Sequence, residues 1–406
     1  MKKQTMKRVV ALAAAISMVI GLTACSNGGG DAKETTKAAD NKEQQESNTS
    51  GEINIGVVGP MTGANAEDGI GFKVAVGIAV DEINAAGGAA GYKLTYDSND
   101  SASDANQSAD IVRQYAENDK YSVIIGDFTT SCCVVDAEIV DKYQIPMITP
   151  TASGSQLPGI SDWFFSMSHT QEYESPWAAE HVTKDYLGAK SVGIMYLNTD
   201  WGTQVDGFLL KAYEELGVEV LANESYLDTE TNFSSIVSKL SSEKPDVIVV
   251  VDQSNAATII NQIRSAGVET QIQLLGPGAA VQIVDQTGDN SEGVVTNTAS
   301  LLTYDNEKVS GFMKTFYEEA GFDAADHAIC AYNTVYMIAT AIENAVADGK
   351  TEINRTVIKD YLETAEFDSP IGLVKFNELH GSNRDMLVVA VENGEYVVKC
   401  DYGYFD

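Results

Sequence analysis

Cysteine, histidine and basic side chains are scarce in this 406-residue sequence, and each shortage excludes a class of protein. The cysteines are Cys25, Cys132, Cys133, Cys330 and Cys400, whose number and spacing fit neither a disulfide scaffold nor a zinc site. We interpret the last four as small buried thiols. The 4 histidines lie far apart and form no His-x-His or His-Glu-x-x-His motif, so the sequence predicts no metal site and no cofactor.

The shortage of basic residues argues against nucleic acid as a partner. The chain has 26 Lys and Arg against 59 Asp and Glu, a formal charge of -33. Removal of residues 1–24 would leave 22 basic residues and raise the negative charge to -37. Such a surface repels the phosphate backbone and has no affinity for anionic lipid.

Catalytic motifs are also missing. No Gly-x-Ser-x-Gly nucleophile elbow and no Walker-type phosphate loop occurs, and the acidic residues are scattered without singling out a pair. We therefore predict no catalytic residue and no enzyme. An anchored extracellular hydrolase stays the weakest alternative, because it would need a nucleophile–base pair or a metal.

The amino terminus has the pattern of a secretory signal. Four basic residues precede an apolar run over residues 9–22, and the run ends in Leu22-Thr23-Ala24-Cys25. This ending resembles the bacterial lipobox, which implies a signal peptide over residues 1–24 and a lipid on Cys25. Two other interpretations stay open: a plain signal peptide with an incidental cysteine, and a single membrane anchor. The run is shorter than the roughly 20 residues that a spanning helix needs.

A polar segment follows the cysteine. Residues 25–51 contain no large apolar side chain and cannot bury enough surface to offset the entropy of ordering, so we expect a disordered spacer on a lipid anchor. The remaining chain of about 355 residues exceeds one comfortable hydrophobic core, which predicts two lobes.

Strand and helix patterns alternate from residue 53 onward. Short apolar runs are separated by segments with helical spacing, which predicts βαβ units and parallel sheets with helices on both faces, an α/β fold. The predicted strands are 53–58, 93–96, 122–125, 146–149, 191–196, 218–225, 247–251 and 272–276. The predicted helices are 72–85, 105–117, 134–143, 204–216, 233–241 and 256–266.

The loops that follow these strands should form the binding edge. Right-handed crossovers bring the carboxyl ends of parallel strands to one edge of the sheet, where open α/β sheets bind ligands. The predicted loops are 59–71, 127–133, 150–157, 199–202, 252–255 and 277–280. They are rich in small hydroxyls, which suit a small polar ligand but also occur in ordinary turns.

Several segments are similar to one family. Residues 56–63 (Gly-Val-Val-Gly-Pro-Met-Thr-Gly) and 79–88 (Ala-Val-Asp-Glu-Ile-Asn-Ala-Ala-Gly-Gly) resemble the start of solute-binding proteins of branched-chain amino acid ABC importers. The resemblance extends through 97–104, 124–126, 146–153, 276–277 and 371–381. It implies the type I periplasmic binding protein fold: two hinged Rossmann-like lobes, joined by three crossovers, that close on a ligand. By this resemblance, lobe 1 is 52–170 plus 301–368, and lobe 2 is 171–300 plus 369–406.

The resemblance also implies ligand-binding residues. A hydroxyl after the third strand falls on Thr130, and small or hydroxyl residues after the fourth strand fall on Thr151 and Ser153. Aromatic residues flanking the ligand fall on Trp201 and Tyr332. The expected site further includes Ser131 and Ala152. Tyr173, like Trp201, would suit a flat or apolar group of the ligand, and Gln253 would suit an amide or a carboxylate.

Two departures from the family pattern concern the ligand's amine. Asp68 stands where close relatives carry an aromatic residue, and Gly278 stands where the amino-acid binders carry a glutamate. A buried ammonium without a counter-charge would cost several kcal/mol. We therefore expect Asp68 or Asp252 to replace that glutamate. Asp127, also at a predicted strand end, is a further candidate, and each of the three could instead be a loop acid or a helix cap.

The function that this resemblance implies is solute capture. We expect a monomeric, lipid-anchored receptor on the outer face of the cytoplasmic membrane of a Gram-positive cell, which delivers a small solute to the permease and ATPase subunits of an ABC importer. A ligand sensor for a membrane signalling partner would share the pocket. The sequence leaves open whether the ligand is a branched-chain amino acid, an amide, urea or an aromatic acid.

Overall fold

A computed structural model describes residues 51–303, 306–382, 384 and 386–402 of the chain. The signal peptide, the lipid on Cys25 and most of the predicted spacer lie outside the described residues. Within them the alternation of strands and helices is present, and it forms parallel sheets with helices between the strands, as predicted. No described helix has both the length and the apolar character that a membrane crossing requires.

The first sheet is parallel and has the strand order β2-β1-β3-β4-β5. Its three inner strands are mostly buried because helices cover both faces, whereas the edge strand Tyr92–Asp100 is largely polar. The strands are β1 (Gly51–Gly59), β2 (Tyr92–Asp100), β3 (Tyr121–Ile125), β4 (Met147–Thr149) and β5 (Phe164–Ser166). The intervening helices are α1 (Ala66–Ala85), α2 (Ala105–Glu117) and α3 (Thr130–Tyr143).

The chain then leaves this sheet and builds a second one. Five of its strands are parallel and are separated by helices; Val247–Val251, for example, is buried at every position. The strands are β6 (Ser191–Leu197), β7 (Glu219–Tyr226), β8 (Val247–Val251), β9 (Gln271–Leu275) and β10 (Val295–Thr298). The helices are α4 (Gln171–Trp177), α5 (Asp200–Leu216), α6 (Ser234–Ser242), α7 (Ala256–Ser265) and α8 (Val281–Thr287). Helix α4 continues as a π-helical segment (Ala178–Tyr186), and a short 3-10 turn (Gly288–Ser291) follows α8.

After β10 the chain returns to the first sheet. It adds α9 (Ser310–Ala320), α10 (Asp326–Ala347), α11 (Arg355–Leu362) and the hairpin β11 (Glu366–Ser369) and β12 (Gly372–Lys375). Helix α10 packs along α1, and its apolar face joins the core of the first sheet. We call this body lobe 1: β1–β5, α1–α3, α9–α11 and the hairpin.

The second sheet is completed by the last strands. β13 (Leu387–Glu392) pairs antiparallel with β10, and β14 (Glu395–Asp401) pairs antiparallel with β13. The strand order is β14-β13-β10-β9-β8-β6-β7. We call this sheet, with α4–α8, lobe 2.

One predicted boundary between the lobes is wrong. We expected residues 369–406 to belong to lobe 2, but Val374 and Phe376 lie in the core of lobe 1. The His380 ring stacks on Phe165 of β5, with ring centroids 4.1 Å apart. The last crossing between the lobes therefore follows Gly381, because the β11–β12 hairpin buries its apolar residues against lobe 1.

Candidate functional site

Three cavities lie between the carboxyl ends of the two sheets, and Gln253 lines all of them. The hinge cavity, of about 70 Å³, lies beside the chain crossings at His169, Ala299 and Arg384. The α1 cavity, of about 330 Å³, lies between the start of α1 and the loops before α7 and α8. The α3 cavity, of about 170 Å³, lies between the starts of α3 and α5. Residues of both lobes line each cavity.

Two threonine hydroxyls face these cavities without a hydrogen-bond partner. Thr130 opens α3 and lines the α3 cavity, while Thr151 follows β4 and lines the hinge cavity. The Oγ1 atom of each is buried and unpaired among the described residues. Thr129 caps α3 by accepting a hydrogen bond from the Cys132 amide (3.4 Å). The start of α3, which carries the partial positive charge of the helix dipole, also faces the α3 cavity. These groups suit a ligand with polar atoms.

We expect Thr151→Val to weaken ligand binding without destabilising the protein. Valine keeps the shape and removes a hydroxyl that has no partner, so the free energy of unfolding should stay the same or rise, while affinity for the bound solute falls about tenfold. Urea denaturation and isothermal titration would measure the two quantities.

Thr149→Val is the matched control for that experiment. Thr149 is also buried, but its hydroxyl donates to the Asp127 carbonyl (2.7 Å) and accepts from the Ala152 amide (3.0 Å). Its loss should therefore cost about 1–3 kcal/mol of stability. Equal destabilisation by the two variants would contradict a ligand-facing role for Thr151.

A buried ion pair joins the three chain crossings at the hinge cavity. The Arg384 guanidinium donates to both carboxylate oxygens of Asp326, at 2.6 and 3.0 Å, and is only 7% exposed. The Ser300 hydroxyl also donates to Asp326, and the Arg384 amide donates to Nε2 of His169 (2.7 Å). Burial alone would raise the pKa of Asp326, but the charge and hydrogen bonds of Arg384 outweigh burial and hold this pKa below its usual range. Burial and the neighbouring Arg384 lower the pKa of His169 to about 4, so this imidazole is neutral near pH 7.

Asp68 is engaged by a histidine. It lies in the first turn of α1, and its Oδ1 is 2.8 Å from Nδ1 of His327. Both residues line the α1 cavity. Burial opposes protonation of His327, but the hydrogen bond and charge of Asp68 outweigh burial and raise the pKa of the imidazole. Asp68 is therefore already paired with His327, whose protonated, positively charged form it stabilises.

Glu174 lines the hinge cavity and, unlike Asp68, accepts its hydrogen bonds from neutral amide side chains. Its Oε1 accepts from Nδ2 of Asn297 (2.7 Å) and its Oε2 accepts from Nε2 of Gln171 (2.9 Å). No Lys, Arg or His of the described ranges forms an ion pair with it. Burial raises the pKa of this carboxyl, and the hydrogen bonds from Asn297 and Gln171, which favour the charged form, offset only part of that rise. The carboxylate is thus held in place by neutral amides and lacks a counter-charge.

Most of the sequence-predicted site residues converge on the cavities. Trp201 lines the hinge and α3 cavities, and Gly278, the position of the missing glutamate, lines the hinge cavity. The cavity-lining set from the sequence is Asp68, Thr130, Ser131, Thr151, Ser153, Trp201 and Gln253.

Four other predicted residues line none of these three cavities. Asp252 is fully buried and accepts hydrogen bonds from the Tyr226 hydroxyl (2.7 Å) and the Asn255 amide. Tyr332 lies in the lobe 1 core and donates to the Glu82 carboxylate (2.5 Å). Ala152 packs in a second lobe 1 cluster, and Tyr173 stacks on His169 at 5.3 Å between ring centroids.

The third candidate acid, Asp127, is buried as well. Its carboxylate accepts from the Ser108 hydroxyl (3.0 Å) and from the Phe128 amide, and burial raises its pKa. Its side chain lines none of the three cavities. The acids that face the hinge cavity are instead Glu174 and Asp326, which the sequence did not single out because they lie at helix starts beside the crossings, in no recognisable motif.

In the described part of the chain, no group of three or more His, Cys, Asp or Glu side chains has an arrangement that could hold a metal ion. The three cavities are lined by hydroxyls, amides, charged groups, the Trp201 indole and apolar side chains such as those of Phe128 and Phe316. Such an arrangement binds a small molecule by hydrogen bonds and charge.

Comparison with known proteins supports this interpretation. The model of the periplasmic binding protein family matches residues 52–395. An amino acid binding protein of Pseudomonas aeruginosa is 23% identical over 316 residues, which are 73% of this chain and 80% of that protein. The Leu/Ile/Val-binding protein homolog 1 of Brucella abortus is 23% identical over 330 residues, which are 80% of this chain and 86% of that protein.

Solved structures share the fold. The branched-chain amino acid transporter substrate binding protein of Streptococcus pneumoniae, in complex with isoleucine, superposes with a TM-score of 0.76 at 23% identity and covers 86% of this chain and 100% of that one. A solute binding protein from R. palustris, in complex with benzoate, gives a TM-score of 0.77 at 18% identity over 87% of this chain and 96% of that one. These matches are to binding proteins of transporters, not to enzymes.

Proposed function

Because this chain belongs to the periplasmic binding protein family, as its match over residues 52–395 shows, we propose that it captures one small polar solute between its lobes and delivers it to an ABC importer. A single observation supports this most: each cavity between the sheets is lined by residues of both lobes. A ligand that contacts both faces stabilises the closed arrangement of hinged lobes, and the importer can then recognise that arrangement.

The solute that fits best is an amino acid or a close relative of one. The buried hydroxyl of Thr130 has no hydrogen-bond partner among the described residues and can bond a carboxylate at the start of α3. Relatives named for amino acids and for Leu, Ile and Val agree with this choice, while the benzoate complex marks aromatic acids as the competing class.

We place the receptor on the outer face of the cytoplasmic membrane. The sequence around Cys25 and the polar residues that follow it support a lipid tether, with permease and ATPase subunits as the partners. Mass spectrometry of the mature protein isolated from membranes would detect a lipid-modified Cys25 as its first residue. An unmodified amino terminus in the culture medium would contradict the tether.

A thermal-shift screen over amino acids, short amides and aromatic acids tests solute capture. A solute at about 100 times its dissociation constant should stabilise the protein by roughly 2.7 kcal/mol. Isothermal titration should then give one site per chain. If no solute of any class shifts the unfolding temperature, the proposed function is wrong.

A further inference from the structure

Among the described residues, the hinge cavity contains one carboxyl group that forms no ion pair, that of Glu174. Four charged or titratable groups reach it besides Glu174: Asp326, Arg384, His169 and His327. Asp326 and Arg384 neutralise each other through two hydrogen bonds, and His169 accepts from the Arg384 amide. His327 is bound to Asp68. The Glu174 carboxylate is the group left over.

From this arrangement we propose that Glu174 is the counter-charge for a primary ammonium on the solute, and that the hinge cavity is an ammonium site. The proposal rests on the proposed function and narrows it to solutes with a cationic amine. It also replaces our sequence-based expectation that Asp68 or Asp252 takes the place of the glutamate missing at Gly278.

The acceptors around the cavity match the three N–H donors of an ammonium group. Each Glu174 oxygen accepts one amide N–H in the protein and has a further lone pair available. Asn297 gives its Nδ2 donor to Glu174, and its Oδ1 is buried without a partner. The Thr151 Oγ1 is a third acceptor, also buried and unpaired. All three residues line the hinge cavity.

The neutral donors that hold Glu174 explain why the carboxylate stays available. Asn297 and Gln171 fix both oxygens, and Gln171 is itself held because its Nε2 also donates to the Ser153 hydroxyl (2.8 Å) and its Oε1 accepts from Ser175 (2.9 Å). Amide donors orient a carboxylate but leave its charge in place. An arriving ammonium would therefore meet a preorganised partner and would need little rearrangement.

This site discriminates between the two candidate ligand classes. An amino acid brings a positive charge that Glu174 can neutralise. A benzoate brings only a negative charge, which would repel the same carboxylate in a small cavity that also contains Asp326. The charge of the hinge cavity thus favours amino acids and other primary amines over plain carboxylic acids.

Glu174→Gln tests the proposal, because glutamine keeps the size and one acceptor while removing the charge. The probes are the twenty standard amino acids and, for each one that binds, the matching carboxylic acid with hydrogen in place of the amine. Isothermal titration should show about a 100-fold or greater loss of affinity for the amino acid in the variant. The wild type should lose affinity similarly when the amine is removed, and Glu174→Gln should then add little further loss.

Glu172→Gln is the matched control, since Glu172 is an exposed acid in the same helix and should not affect affinity. If Glu174→Gln does not fold, the comparison of each amino acid with its amine-free analogue on the wild type still tests whether the site binds an ammonium group. Unchanged affinity in Glu174→Gln, or a wild type that binds the amine-free acids as well as the amino acids, would overturn the ammonium site but leave solute capture intact. A protein that binds nothing in this panel but binds an amide or an aromatic acid in the thermal-shift screen would also overturn the ammonium site, and one that binds nothing in either set would contradict solute capture itself.

Discussion

Replacing Arg384 by methionine is expected to lower the free energy of unfolding by about 3–5 kcal/mol, because it leaves Asp326 as a buried charge without a partner. Both side chains of this pair are largely buried, with 8% and 15% of their surfaces exposed. The same guanidinium connects the last crossing to α10, and the Arg384 amide connects it to the first crossing through His169. Urea denaturation followed by tryptophan fluorescence would measure the change.

Two control variants make that result specific. Arg113 forms an exposed ion pair with Asp110 at 2.7 Å, with 45% and 71% of the side-chain surfaces exposed. Arg113→Met should therefore cost less than about 1 kcal/mol. Adding Asp326→Leu to Arg384→Met should restore much of the lost stability, since no unpaired charge remains. If Arg384→Met lowers the free energy of unfolding no more than Arg113→Met does, the Asp326–Arg384 ion pair contributes no more to stability than an exposed ion pair.

The second large effect is expected at Gly276, which follows β9 and lines the hinge cavity. Its φ of +121° is a conformation that residues with a side chain rarely adopt. A β-carbon there would lie 2.2 Å from the Asp252 carbonyl oxygen and 2.7 Å from the Trp201 ring. Gly276→Ala must therefore displace the indole that lines two cavities. We expect at least a tenfold loss of solute affinity and a loss of stability larger than the roughly 1–3 kcal/mol of backbone strain alone.

Gly87→Ala separates backbone strain from collision. Gly87 has a similar φ of +111°, but a β-carbon there meets nothing within 4 Å. It should lose stability through strain and keep full solute affinity. Isothermal titration and thermal unfolding of the two variants give the comparison. Equal affinities of Gly276→Ala and Gly87→Ala would show that contact between Trp201 and Gly276 does not shape the site.

The fold could be predicted from the sequence because its signals are local. Apolar runs such as Val247–Val251 alternate with segments of helical spacing, and parallel sheets require such runs since helices cover both faces. The family resemblance over most of the chain is confirmed by the match of residues 52–395. The boundary that we predicted at residue 369 was wrong, because the sequence of the short β11–β12 hairpin does not indicate which of the two cores will bury its apolar residues.

The candidate site was predicted only in part. Thr130, Thr151 and Gln253 line the cavities and lie in loops that the crossover rule places at the binding edge, and the family resemblance singled out the two threonines. The same reasoning could not tell that the Asp252 side chain is taken up by Tyr226 and the start of the next helix. A residue at a strand end can point into the cleft or back into the lobe, and the sequence is the same in both cases.

Local order along the chain therefore determined the alternation of strands and helices, the edge at which the loops gather and the family. Only the tertiary structure decided which charges neutralise each other there. Asp326 and Arg384 are 58 positions apart, and Glu174 and Asn297 are 123 apart, so no spacing rule connects them. Whether a carboxylate is free to meet a ligand depends on what lies within about 3 Å of it, and that is a property of the folded chain.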